Sequence, residues 1–129
     1  MYRRKKISIK DWLKGFNFAF NGLIYVFKNE QNARIHFVVS VFVISAGLYI
    51  HLSLIKWYLV ICCIGSVIAA ELFNTAIELI TDKIWPEKNN DAKIIKDISA
   101  GAVLIISISA AIIGVLVFYE PICNFLSMR

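Results

Sequence analysis

The chain is poor in the residues that punctuate or staple a fold: of 129 residues, three are cysteine, two proline and six glycine. Cys62 and Cys63 are neighbours and Cys123 lies far from both, so there is no C-x-x-C pair and no Cys/His spacing of a metal centre. They read as small apolar packing residues. Neither G-x-x-x-x-G-K-[ST] nor G-x-G-x-x-G occurs, which excludes the usual glycine-rich phosphate loops. No internal repeat or low-complexity tract stands out. The basic start Arg3, Arg4, Lys5 and Lys6 runs into an amphipathic stretch, not an uninterrupted apolar one, so no cleavable signal peptide is expected and the N-terminus should be kept.

Hydrophobic residues, by contrast, make up 59% of the chain, and its mean hydropathy of +0.69 is too high for a small soluble core. A single polytopic membrane domain over 1–129 is expected. Three stretches, about 35–55, 57–80 and 98–119, each approach the roughly 20 residues that cross a hydrocarbon core. A weak break around His51 and Ser53 turns the first into the second. Lys and Arg number eight before the first span and four in the 82–97 loop, with only Lys56 and Arg129 elsewhere. The positive-inside rule then places the N-terminus and that loop in the cytoplasm and the C-terminus outside. The net charge of +5 is therefore read as orientation plus attraction to anionic lipid, not as nucleic-acid binding. In the cytoplasmic half only Gly101 and Pro86 interrupt the pattern, and PEKNND at 86–91 reads as a turn-rich loop.

Before the first span, Lys10, Lys14, Asn17, Asn21 and Lys28 share one polar stripe, while Trp12, Leu13, Phe16, Phe20, Leu23, Ile24 and Phe27 cover the other faces. The spacing predicts an interfacial helix over about 10–29 that anchors the chain, or walls off a site and admits a lipid sideways. In the third span Ala100, Ser107, Ala111 and Gly114 form a stripe of small side chains that lets helices pack closely in lipid.

The chemistry concentrates in the second span. Glu71, Asn74, Glu78 and Asp82 fall at i, i+3, i+7 and i+11, within one narrow stripe of a helix that is otherwise almost wholly apolar. An ionised carboxylate in a bilayer costs roughly 2.5–3.5 kcal/mol on insertion scales, so aligned acids need a cation or a basic group beside them. Three helices of one chain should hardly bury such a stripe, which suggests a homo-oligomer with sites at subunit boundaries. Counted from Trp57 at 1.5 Å per residue, Glu71 sits roughly 21 Å and Glu78 roughly 31 Å through a core about 30 Å thick. Glu71 thus stays inside the inner leaflet, placed to take a proton from a lipid hydroxyl. Glu78 reaches water, where with Glu30 it is placed to bind Mg²⁺. Lys96 and Asp97 arrive at the same boundary, where a lysine can hold phosphate oxygens.

Base, metal carboxylates and phosphate lysine together make phosphoryl transfer from a nucleotide to a lipid alcohol coherent. Quieter readings stand beside it. Asn74 and Thr75 serve as interhelical hydrogen-bond glue, Arg34 and Asp82 mark span ends, Glu87, Lys88 and Asn89 are solvated loop, and His36 and His51 are interfacial. Two rivals are a small proton-coupled transporter using Glu71 alone and a non-catalytic assembly subunit. The first gives no reason for Glu30, Glu78, Lys96 and Asp97 to gather at one interface.

The strings NEQNARIHF (29–37), AELFNTAIELITD (70–82) and AKIIKDISAGAVLI (92–105) resemble the small prokaryotic diacylglycerol kinase and undecaprenol kinase family, from about residue 22 to the end of the third span. The resemblance implies an all-α membrane protein of the bacterial inner membrane: a homotrimer, each subunit with an amphipathic surface helix and three transmembrane helices. It implies active sites shared between subunits near the cytoplasmic face, and transfer of the γ-phosphate of Mg-ATP to diacylglycerol, giving phosphatidic acid, or to undecaprenol, giving undecaprenyl phosphate. It further implies Glu71 as catalytic base, Glu30 and Glu78 as carboxylates for Mg²⁺ and the nucleotide, and Lys96, Asp97, Glu87 and Asn89 as nucleotide contacts. Asn74, Arg34, His36 and Ala100 join Glu71 as lipid-substrate contacts. The diacylglycerol-specific branch tends to carry an acidic residue where His36 stands and a basic one near Asp11; R-I-H at 34–36 is more similar to the undecaprenol kinase branch.

Overall fold

The computed structural model describes residues 9–127, with the side chains of 9–12 and Phe125 left aside; the basic cluster Arg3 to Lys6 and Arg129 lie outside the described residues. The architecture is all-helical: α1 (Ile9–Asn29), α2 (Gln31–Tyr49), α3 (Leu54–Ile84) and α4 (Asn90–Ser127). The last three are long and apolar enough to cross a membrane.

Local chemistry sets where each helix stops. A single residue, Glu30, divides α1 from α2: its backbone is extended (φ −101°, ψ 121°) and its side chain makes no capping bond. Its carboxylate is therefore not spent on the helix end. Across this break Phe27 and Phe37 meet edge to face at 5.3 Å.

At the far end, α2 stops at Tyr49, short of the expected limit near 55, because the chain reverses through a Schellman-type turn. His51 N donates to Leu48 O and Leu52 N to Gly47 O, with His51 left-handed at φ 54°. Only glycine fits at 47 without displacing a neighbour, since a Cβ there would lie 2.9 Å from Leu52 Cδ1 and 3.0 Å from Trp57 Cη2.

The other two helices outrun their apolar windows. The 31 residues of α3 rise about 46 Å, more than the roughly 30 Å of a hydrocarbon core. The 82–97 segment is correspondingly not a loop but mostly helix, with only 85–89 outside α3 and α4. Hydropathy reports the part of a helix that meets lipid, whereas the helix itself runs on until the backbone is capped or turned. Here Trp85-Pro86 ends α3. Asn89 opens α4 as a cap, its Oδ1 accepting the N–H groups of Asp91 at 2.7 Å and Ala92 at 3.2 Å.

α3 is the spine, with α4 packed along its length and α2 against another face; α1 touches α2 and α3, burying Val26. Leu52, Val60 and Val117 form a small core near the α2–α3 turn, where Lys56 Nζ binds Glu120 Oε2 at 2.8 Å. Elsewhere large apolar side chains such as Phe42, Phe73 and Leu116 are exposed on the chain's outer surface. Cys62 and Cys123 are exposed as well, and only Cys63 is half-buried, so the cysteines pack less within the chain than expected.

Candidate active site

Glu71 lies on α3 with only 3% of its surface exposed, so one chain buries the head of the acidic stripe, while Glu78 is half-buried and Asp82 exposed. The head is buried because the stripe is turned into the angle between α2 and α4. From α2, His36 brings Nε2 to 3.2 Å from Glu71 Oε1. The contact is within ion-pair range but lacks hydrogen-bond alignment, and Oε1 is a buried oxygen with no hydrogen-bond partner among the described residues. His36 is thus not merely interfacial. Glu30 and Glu78 lie close enough for both their charges to act on Glu71, and Glu78 close enough to act on Lys96.

The rest of the stripe is wired by hydrogen bonds. Asn74 Nδ2 donates to Glu78 Oε1 at 3.0 Å, and Asn74 Oδ1 accepts from Ser99 Oγ of α4 at 2.6 Å. Thr75 instead donates to the Glu71 carbonyl at 3.0 Å, a bond within its own helix that lets a hydroxyl sit in an apolar interface. Asp82, read from sequence as a span end, pairs with Lys96 across α3 and α4. Ser99 is the polar partner that sequence reasoning missed; its one signal was a position one turn after Lys96 in an apolar run.

A groove of about 830 Å³ runs between α2 and α4 with α3 as its floor. His36 lines it, as do Val39, Val67 and Gly114 along its length and Phe118 and Ile122 further along α4. Ser107 and Ala111 of the small-residue stripe line it too, while Ala100 is exposed on the chain surface. Arg34, Glu87 and Asp97 are also exposed and not gathered around Glu71, and Asn89 is engaged as the α4 cap.

Among the described residues no three His, Cys, Asp or Glu side chains gather tightly enough to cage a metal by themselves. Mg²⁺ needs no such cage, since it usually keeps waters and phosphate oxygens and takes one or two carboxylates. Glu30, free of capping duty, and Glu78, held through one oxygen, fit that demand as hard-oxygen donors.

The profile of the family described as prokaryotic diacylglycerol kinase matches residues 17–118. The chain belongs to that family. Among its relatives, the undecaprenol kinase of Bacillus subtilis is 35% identical over 111 residues, 86% of this chain and 90% of that protein. The diacylglycerol kinase of Synechocystis sp. is 35% identical over 113 residues, 87% of this chain and 65% of that protein. As a prokaryotic diacylglycerol kinase family member the chain is a membrane lipid kinase, and the family implies ATP as co-substrate. The helices that bury Glu71, α2, α3 and the first half of α4, all fall within the matched region.

Proposed function

We propose that this lipid kinase transfers the γ-phosphate of ATP to the hydroxyl of undecaprenol, giving undecaprenyl phosphate and ADP. The observation that carries the reading is a buried carboxylate, Glu71, with an oxygen that no hydrogen bond engages, set against His36, whose side chain lines an apolar groove. A lipid tail in that groove brings its terminal hydroxyl to His36, the lining residue that touches Glu71. Glu71 takes the hydroxyl proton as the oxygen attacks the γ-phosphorus; the new P–O bond forms while the bond to the bridging oxygen breaks, and ADP leaves with that electron pair.

His36 borders the lipid head beside Glu71 and Asn74 organises the site, while the exposed Arg34 and Ala100 meet the lipid from the chain's outer surface. Lys96 exchanges Asp82 for nucleotide phosphate oxygens, with Asp97, Glu87 and the Asn89 turn flanking the nucleotide. Glu30 and Glu78 would hold Mg²⁺, which when bound neutralises the phosphate charge. The kinase acts as a homotrimer in the bacterial inner membrane, with its N-terminus and the Glu78–Lys96 end in the cytoplasm and its C-terminus outside; the charge asymmetry of the chain supports that orientation.

His36 within R-I-H supports the polyprenol over diacylglycerol, and so does the undecaprenol kinase relative, matched along 90% of its length. Diacylglycerol, giving phosphatidic acid, is the second reading, favoured by the equal identity to the diacylglycerol kinase relative. The deciding experiment gives the purified protein Mg-ATP with undecaprenol and diacylglycerol in parallel and follows phosphate into each. Transfer to diacylglycerol alone overturns the polyprenol assignment, and transfer to neither overturns the kinase mechanism.

A further inference from the structure

We propose that Ser99 is a positioning residue of the kinase: acting through Asn74, it holds the carboxylate of Glu78 in the orientation that receives the metal ion. The inference rests on the metal role proposed for Glu78.

Ser99 on α4 is 7% exposed and Asn74 on α3 is 9% exposed, so their contact is shielded from water. A serine hydroxyl has one proton to give. Two acceptors lie within reach, Asn74 Oδ1 at 2.6 Å and Lys96 O at 2.9 Å. With Oδ1 turned to Ser99, the amide hydrogens of Asn74 face Glu78 Oε1 at 3.0 Å.

The reverse amide fails. An ionised Glu78 only accepts, so a flipped Asn74 would set oxygen against oxygen, even if Ser99 gave its proton to Lys96 O and accepted from the amide. The relay Ser99 to Asn74 to Glu78 therefore has one direction in which every link joins a donor to an acceptor. Its effect is to fix one oxygen of Glu78 and leave the other for a cation. It also ties that carboxylate to the turn of α4 that carries Lys96. Removing the hydroxyl strands a buried amide oxygen and frees the amide to turn.

Outer-shell partners of metal ligands typically change metal affinity or activity by roughly 10–100-fold, and Ser99 stands one link further out, so about 10-fold is expected. The test uses the full chain in lipid nanodiscs with Mn²⁺ and a non-hydrolysable ATP analogue, bound ion being read by EPR. Ser99→Ala should weaken Mn²⁺ binding about 10-fold and raise the Mg²⁺ half-saturation of phosphate transfer to match. The loss in kcat at saturating Mg²⁺ should be smaller. Ser99→Thr, which keeps the hydroxyl, should restore metal affinity. On an Asn74→Ala background Ser99→Ala should add nothing, because the relay is already cut. Should Ser99→Ala not fold, Ser99→Cys, near in size and a weak donor, reads the same quantity.

A Ser99→Ala variant that unfolds at lower temperature but binds Mn²⁺ normally, while Glu78→Gln binds it poorly, makes Ser99 a packing contact and overturns the relay alone. Additive losses in the double variant overturn the route through Asn74. Normal Mn²⁺ binding by Glu78→Gln overturns the metal assignment and the relay with it.

Discussion

His36 and Glu71 meet between α2 and α3 with Nε2 and Oε1 3.2 Å apart, the imidazole partly exposed and the carboxylate buried. A carboxylate this far from water needs a basic neighbour, and α2 supplies one without supplying a well-aligned hydrogen bond. Glu71 thus keeps an oxygen that no hydrogen bond engages, available for a proton.

Glu71→Gln should preserve the fold and nucleotide binding and lower phosphate transfer by about 10²–10⁴-fold, the usual contribution of a positioned base. Single-turnover transfer, with nucleotide binding measured alongside, checks this. Near-normal turnover would end the assignment of Glu71 as the base.

Glu30→Gln and Glu78→Gln should each raise the Mg²⁺ concentration needed for half-maximal activity. If Glu30 and Glu71 of one chain serve the same site, mixing Glu71→Gln with Glu30→Gln subunits gives no more activity than either variant alone. Recovery in the mixture would instead show that Glu30 of one chain serves Glu71 of another, as the family resemblance implies.

Lys96→Met should raise KM for ATP more than it lowers kcat. Asp82→Asn should lower that KM by releasing Lys96, and should leave thermal unfolding nearly unchanged, because Asp82 is exposed and such a pair is screened by salt. If both variants keep the parental KM, Lys96 does not touch the nucleotide.

Gly114 has open space where a Cβ would stand, so Gly114→Phe should be accommodated by filling the groove between α2 and α4. The expected outcome is a raised KM for the lipid with nucleotide binding intact. An unchanged lipid KM would place the tail elsewhere.

The α2–α3 turn offers a stability test apart from catalysis. Gly47→Ala should destabilise by about 1–3 kcal/mol, since the new methyl runs into Leu52 and Trp57. His51→Gly should stabilise by about 1 kcal/mol by removing the left-handed strain at φ 54°. Unfolding in detergent micelles measures both.

The sequence by itself determined the number of apolar helices, the polar stripe from Glu71 to Asp82 and the family, because helical period and hydropathy are local properties. It also marked the break at His51 and Ser53. It misjudged how far the helices extend, since polar helical turns beyond the bilayer carry no apolar signal and end on caps such as Asn89. Only the tertiary structure decided that His36 faces Glu71, that Asp82 pairs with Lys96 and that Ser99 reaches Asn74. Each of these contacts joins residues on different helices, and the angles at which α2 and α4 lie on α3 follow from packing, which no periodicity within a single helix encodes.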